Sequence, residues 1–358
     1  MKIFAVSDIH GHYTELIHAL DCAGFDSTNT DHMLICCGDC FDRGNENRAV
    51  LEYLSALPRK ILIRGNHEDI LERVLERRYI DDTDVYNGTD VTISEFFGES
   101  CIDRHGRIDL SESLCYLERL KSFIGSMYDF FETEHHIFTH AWLPIVEKDG
   151  KDILYPDKYH APNFRWQEAR YTEWFTAYEQ GLTVENKTIV CGHRASYNAY
   201  RIDPSRVKED FSMYCAPGIV ALDSATIRTK NINVYVTNDS LPESRTHSMT
   251  LTKKFFDKIK DSKKTVEMRL LDEKRSRISI GDTVNFSCVQ DPEDFFTVRV
   301  TGLYKYTGFS QLALDFRPAE LGYSLSQIED LPYDMELIYG ESKIKEYGAL
   351  AIRISHIL

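Results

Sequence analysis

Short apolar runs alternate with amphipathic stretches through the first 80 residues of the chain. Residues 2–6, 33–37 and 60–63 are nearly continuous apolar segments of strand length, the pattern of strands buried on both faces. After the first run, Leu16, Ile17 and Leu20 recur at helical spacing within residues 13–23. Residues 45–57 read as an amphipathic helix, and Ile70, Leu71, Val74 and Leu75 mark a third. Strand, turn and helix repeated three times predict an α/β sheet. Each turn is polar: Ser7-Asp8-Ile9-His10-Gly11-His12, then Cys37-Gly38-Asp39-Cys40-Phe41-Asp42-Arg43-Gly44, then Arg64-Gly65-Asn66-His67-Glu68. In open α/β sheets, ligands bind at these carboxyl ends of the strands.

Residues 80–134 are less regular, with Gly88, Gly98 and Gly106 and one helical patch at Leu114, Leu117 and Leu120. They read as a helical insertion that shapes access to a site. The strand pattern returns at 137–139 and stops at His140. Pro144, Pro156 and Pro162 break the loop that follows, and residues 166–178 read as one helix. Further strands are expected at 188–191, ending in Gly192-His193, and at 219–222 and 232–236, with Asp223 between them. Residues 238–244 are polar and interrupted by Pro242, so they form the expected linker. Strand-like runs resume at 283–288, 296–300 and 350–354. The expected domains are 1–240 and 245–358.

Composition fits that division. The chain has 358 residues, enough for two domains, and is 42% hydrophobic and 28% charged, as globular proteins are. No run of 18 apolar residues suggests a membrane span. The apolar start is too short for a signal peptide, which leads to an expectation of the cytoplasm, where the nine cysteines would stay reduced. Cys37 and Cys40 form a CxxC pair of the kind that binds zinc, but no second pair exists and Asp39 lies between them. The net charge of −15 is concentrated in the first 240 residues, which carry −14, against −1 in the remainder. An acidic first domain argues against general affinity for nucleic acid there.

The candidate chemistry lies at the strand ends. They deliver Asp8 and His10, then Asp39, Asn66, His140 and His193. Mixed oxygen and nitrogen donors suit Mn²⁺, Fe²⁺ or Zn²⁺ better than Ca²⁺. Six ligands are too many for one ion with an open position, but they suit two ions that share a carboxylate. Such a pair can hold a hydroxide and clamp a phosphoryl oxygen for in-line attack.

Asp8-Ile9-His10-Gly11, Gly38-Asp39-Cys40-Phe41-Asp42-Arg43-Gly44 and Gly65-Asn66-His67-Glu68, with single histidines at 140 and 193, resemble the phosphoprotein phosphatase family of calcineurin-like metallophosphoesterases. The resemblance covers residues 1–240 and is greatest to bacterial and phage-type members. It implies an α/β fold, a β-sandwich flanked by helices (αββα), and two divalent ions, with Mn²⁺ favoured. It assigns Asp8 and His10 to one ion, Asp39 to both, and Asn66, His140 and His193 to the other. His67 becomes the general acid and Asp42 its partner. Arg43 and Arg64 hold phosphate oxygens, and Arg165 is a third clamp suggested by its distance before His193. Two positions depart from the pattern. Trp142 stands where the family has glycine, and Asp223-Ser224-Ala225 replaces a motif ending in glycine. Asp223 is either support for a metal histidine or a turn residue. Glu68 reads as a first-turn carboxylate favoured by the helix dipole. His12, His105, His135, His136 and His160 read as surface or loop residues.

Residues 253–277 hold ten Lys and Arg against five Asp and Glu. Within them, Lys264-Thr265-Val266-Glu267-Met268-Arg269-Leu270-Leu271-Asp272, followed by Arg275 and Ile280-Gly281-Asp282-Thr283-Val284, resembles the ASCH family over residues 247–358. That family is a small β-barrel related to the PUA RNA-binding fold. The resemblance implies RNA or nucleotide binding, with Lys264 and Arg269 on phosphate and Glu267 on a base or ribose. Ser262 replaces a glycine common in that family, and a solvated, salt-bridged face is the plainer reading of these charges. Three functions follow. The first is a phosphatase acting on phosphoprotein. The second is the same chemistry on a nucleotide or RNA end presented by the second domain. The third is an RNA-binding protein carrying an inactive phosphatase scaffold, against which the full ligand set argues.

Overall fold

The computed structural model describes residues 1–357; of the second expected domain, only Leu358 lies outside them. The chain is mixed α/β and divides into two compact units: Met1–Leu154 with Gln167–Pro242, and Tyr155–Trp166 with Glu243–Leu358. The segment Tyr155–Trp166, assigned to the first domain from sequence, clusters with the second unit instead.

The first unit contains two main sheets. In one, β1 (Lys2–Val6), β2 (His32–Cys36) and β3 (Lys60–Leu62) run parallel. A later strand, Tyr235–Asn238, pairs antiparallel with the outer edge of β1. Helices α1 (Tyr13–Ala23) and α2 (Asn47–Ala56) connect these strands, and α3 (Asn66–Arg77) follows β3. Phe4, Val6, Leu34, Cys36 and Leu62 pack with apolar residues of these helices in one core. Their alternates Ile3, Ala5, Ile35 and Ile61 are buried too, which is why these strands read as continuous apolar runs. The second sheet takes β4 (Phe130–Glu132), β5 (His136–Thr139), β8 (Thr188–Cys191), β10 (Ile219–Ala221) and β9 (Tyr214–Ala216), in that order. A hairpin of β6 (Ile145–Lys148) and β7 (Lys151–Leu154) turns at Asp149 and Gly150, both with positive φ, as tight hairpins require.

Several elements differ from the sequence reading. Residues 166–178 are not one helix: α7 (Asn163–Ala169) and α8 (Trp174–Glu179) are separated by a turn at 170–173. The strand that pairs with the edge of β1, β11 (Tyr235–Asn238), starts at Tyr235 rather than 232. The Asn233 amide donates to the Phe211 and Leu222 carbonyls (2.9 Å each), which draws that stretch away from the β1 edge. His12 and His136, read as surface or loop residues, are buried. His136 lies within hydrogen-bonding distance of Asp239 (2.6 Å) and the Tyr235 hydroxyl (3.1 Å), and His12 bonds the His10 carbonyl (2.7 Å).

The insertion supplies α4 (Asp82–Asn87), α5 (Thr89–Phe97) and α6 (Leu114–Gly125). Glu95 of α5 accepts from the Asn47 and Arg48 backbone N–H groups at 2.9 and 2.8 Å, satisfying donors at the start of α2.

The second unit is built on a five-stranded sheet of order β12 (Thr246–Leu251), β14 (Thr283–Cys288), β15 (Phe295–Tyr306), β16 (Ala349–His356) and β13 (Val266–Leu270). The expected closed barrel is therefore an open half-barrel among the described residues, with β12 and β13 at its edges. The register of β15 shifts between Val300 and Gly302, and such an irregularity bends a strand and increases its twist. Phe256 and Ile259 of the helix Lys253–Lys260 pack into its core. Among the described residues of either unit, no helix is long and apolar enough to cross a membrane.

The contact from α5 to α2 carries a testable consequence. Glu95→Ala leaves the start of α2 without its side-chain acceptor. We expect it to lower stability by about 0.5–2 kcal/mol, read as an earlier midpoint in urea unfolding of the full chain.

Candidate metal centre

Loops after β1, β2, β3, β5 and β8 bring all six expected metal ligands together in the first unit. The turns are stitched backbone to backbone: Asp8 N donates to Gly38 O (3.1 Å), His10 N to Asp39 O (2.9 Å) and Gly192 N to His140 O (2.6 Å). Twelve described residues other than glycine have positive φ, and half are candidate site residues: Asp8, His10, Asp39, Asp42, Arg43 and His193. Left-handed backbone is uncommon for residues with a Cβ and concentrates at functional sites. Two glycines permit the close approach. A Cβ on Gly38 would stand 2.6 Å from His140 Nδ1, and one on Gly192 would overlap Ser7 and the Asp8 carboxylate.

Asp39 is the centre of the group. Its Oδ2 faces His10 Nε2 (3.8 Å), whereas its Oδ1 faces His140 Nε2 (3.4 Å). Asp39, His140 and His193 bring one ligand atom each to within 4.8 Å of one another, as do Asp39, His10 and His67. His10 Nδ1 donates to Phe41 O (3.0 Å), and His140 Nδ1 donates to Cys37 O (2.8 Å). Those bonds fix the neutral tautomers with the Nε2 lone pairs turned inward, as metal-ligating histidines require. In that tautomer His140 Nε2 and Asn66 Oδ1 are two acceptors 2.9 Å apart, an arrangement that a shared cation relieves. Among the described residues, His193 Nε2 is buried without a hydrogen-bond partner. The Asp8 carboxylate accepts from Ser7 Oγ (2.5 Å) and His193 N (3.0 Å).

The electrostatics fit cations. Burial, Asp223 and Asp39 hold the Asp8 carboxyl well above its usual range. Burial also lowers His10 and His140, and pushes His193 down to about 3, so all three imidazoles are neutral and free to ligate. Burial alone would raise Asp39, but His140, His67, His10 and His193 hold it below the ordinary carboxylate range. Buried carboxylates of one sign among neutral nitrogens form a site for divalent ions. Asp223 is buried beside them and pushed up to about 6, first by burial and then by Asp39; it accepts from Ala225 N (2.7 Å).

His67 sits beside the cluster and is held from below. Its Nδ1 pairs with Asp42 Oδ2 at 2.8 Å. Asp42 also accepts from Thr89 Oγ1 (2.9 Å) and Thr92 Oγ1 (2.7 Å), both on α5. Burial works against a proton on His67, but Asp39 and Asp42 outweigh it and raise the imidazole above its ordinary value. The exposed Arg43 guanidinium reaches His10 Nε2 (3.0 Å) and His67 Nε2 (3.2 Å).

The remaining sequence candidates are placed as follows. Arg64 is buried, with Nε on Asp69 Oδ1 (2.6 Å) and a second bond to Glu72. Arg165 is the third clamp expected from the sequence. It belongs to the second unit, with its guanidinium 4.9 Å from the Phe164 ring centroid. Arg170, which the sequence reading passed over, donates to the other oxygen of Asp69 (2.9 Å) and to Asp129. The unexpected turn after α7 puts it there, and helical periodicity gives no sign of such a break. Glu68 does more than favour a helix dipole. It accepts from the N–H groups of Asp39 (3.0 Å), Cys40 (2.8 Å) and Gly65 (2.8 Å), binding the β2 turn to the start of α3. Burial and Asp39 push it up to about 7. Thr89 and Thr92 were also missed, and only their spacing on one face of a helix hints at a shared partner.

In the second unit, Lys264, Glu267 and Arg269 come together. Glu267 lies 3.4 Å from Lys264 Nζ and 3.0 Å from Arg269 Nη2. Lys264 is fully buried, donating to the Val266 and Leu321 carbonyls (2.7 and 3.1 Å), so its ammonium ties the fold rather than facing outward to a phosphate.

The family model for calcineurin-like phosphoesterases matches residues 1–207. A symmetrical bis(5'-nucleosyl)-tetraphosphatase of Buchnera aphidicola is 36% identical over 69 residues, which is 19% of this chain and 24% of the relative. The match thus spans about a quarter of the length of that relative. Among solved structures, a protein serine/threonine phosphatase of Saccharomyces cerevisiae aligns at 12% identity over 68% of this chain and 81% of its own, with a TM-score of 0.31. A protein of Pyrococcus furiosus aligns at 31% identity over 31% of this chain and 96% of its own, with a TM-score of 0.25. The chain belongs to the calcineurin-like phosphoesterase family.

Proposed function

We propose that the first unit hydrolyses phosphate monoesters with two divalent ions, most like the serine/threonine protein phosphatases. The supporting observation is Asp39, whose two carboxylate oxygens face separate nitrogen donors beside the His67–Asp42 pair. Asp8, His10 and Asp39 would hold one ion, and Asp39, Asn66, His140 and His193 the other. The donor set favours Mn²⁺, with Fe²⁺ or Zn²⁺ as close fits. When bound, the ions supply charge neutralisation and an activated water for attack on phosphorus. His67 donates its proton to the leaving oxygen, and Asp42 holds the imidazole in orientation and favours its charged form. Arg43 binds a phosphoryl oxygen from the exposed side. Arg64 and Arg170, linked through Asp69, would offer remaining N–H donors to the same group.

A second reading concerns the substrate. The match to a nucleosyl-tetraphosphatase favours the same chemistry on a nucleotide or an RNA end. We extend this to the second unit as an ASCH-like module for RNA or nucleotide. Its support is the joined Lys264–Glu267–Arg269 motif and an Arg269 Nε that, among the described residues, is buried without a hydrogen-bond partner. Assay of the Mn²⁺-loaded protein on a phosphopeptide, a dinucleoside tetraphosphate and RNA with 5′-, 3′- or cyclic phosphate separates these substrates. No turnover of any of them contradicts both readings.

His67→Asn should lower kcat by about 10²–10⁴-fold for poor leaving groups and much less for p-nitrophenyl phosphate. Arg43→Ala should chiefly raise KM. Equal losses for good and poor leaving groups would remove His67 as the acid. The pH profile tests its partner. The working acid is protonated, so activity falls as pH rises through the His67 pKa. Asp42 contributes to raising that pKa. Asp42→Asn should therefore move the alkaline limb to lower pH, and an unmoved limb would contradict the pairing.

A further inference from the structure

The turn between α7 and α8 carries Arg170 and then Tyr171. Arg170 is buried and tied to Asp69 and Asp129, which anchors the turn. Tyr171 is committed to nothing comparable. Its ring stands edge-on to His193, with centroids 6.1 Å apart and planes at 84°. His193 in turn stands 5.2 Å from His140. Yet 48% of the tyrosine is exposed, and its hydroxyl has no hydrogen-bond partner among the described residues. A phenol hydroxyl is a hydrogen-bond donor. Arg43 is the exposed donor beside His10 and His67. Tyr171 is its counterpart beside His193.

We propose that Tyr171 is a substrate-contacting residue whose hydroxyl donates a hydrogen bond to a non-bridging oxygen of the phosphoryl group held over the Asp39–His140–His193 side of the centre. The assignment rests on the phosphoesterase reading for its substrate class and on the placement of Tyr171 for its role. A packing role alone would need only the ring edge against His193. It would not require a donor-bearing tip that is half exposed and unpaired next to the ligand cluster. The ligand that fits is a compact tetrahedral oxyanion, which two outer donors grip from opposite sides.

Tyr171→Phe keeps the ring and removes the donor. With the full, Mn²⁺-loaded chain, inorganic phosphate and orthovanadate serve as probes, with affinity measured by calorimetry and by inhibition. The substitution should weaken both by about tenfold, the scale of one hydrogen bond to a charged group, and raise KM similarly. Mn²⁺ affinity should stay unchanged. Affinities within twofold of wild type would overturn the assignment. So would an equal loss of Mn²⁺ binding, which marks a packing role on His193, or a wild-type protein that binds neither oxyanion. Tyr171-dependent oxyanion binding without turnover of any phosphate ester would sustain this assignment while sinking the function proposed above.

Discussion

The first unit depends on one constraint: Asp8 and Asp39 are buried together, with Asp223 close by, in a pocket whose other groups are neutral imidazoles and an amide. Buried carboxylates of like charge are costly unless cations or protons compensate them. Here the imidazoles cannot do so fully, because burial keeps His10, His140 and His193 unprotonated. The backbone nevertheless holds the cluster in place through left-handed residues at three of its strand-end turns, those after β1, β2 and β8. A fold maintains such a cluster when bound divalent ions repay it, and bound ions add their binding free energy to the stability of the folded state.

The supporting layer is as specific as the ligands. Glu68 joins the Asp39 turn to α3, so Asp39 and Asn66 share one support. Thr89 and Thr92 join the insertion to Asp42 and through it to His67. The insertion is therefore part of the candidate acid, beyond any role in shaping access. Asp69 joins Arg64 to Arg170 across a long stretch of chain. Each of these links has a carboxylate at its centre, which accounts for part of the acidity of this half of the sequence.

Much of this was legible from the chain itself, because strand-end motifs are local. The apolar runs at 2–6, 33–37 and 60–63 located three strands within a residue or two, and the polar residues immediately after them are the ones that converge. What periodicity could not reveal was set by tertiary contact. The break at Arg170, the shortened strand at Tyr235 and the burial of His12 and His136 each go with a hydrogen bond to a residue distant in sequence, for His12 the one that Lys230 Nζ donates to its Nε2 (2.7 Å). Arg165 and Arg170 show the limit most clearly. Spacing before His193 picked out the first, and only the turn reveals the second, tied to Asp69. In the second unit, the Lys264–Glu267–Arg269 motif was found by resemblance. Its burial, and the open rather than closed sheet, were not foreseen, since strand pattern alone cannot say whether the ends of a sheet meet.

The central claim is that two ions share Asp39. Counting Mn²⁺ bound per chain by calorimetry, checked by metal analysis of the dialysed protein, tests it most directly. The wild type should bind two. His193→Ala should lose one and keep the ion beside Asp8 and His10, while Asp39→Asn should weaken both sites. One ion per wild-type chain, or two tightly bound ions in Asp39→Asn, would contradict the account.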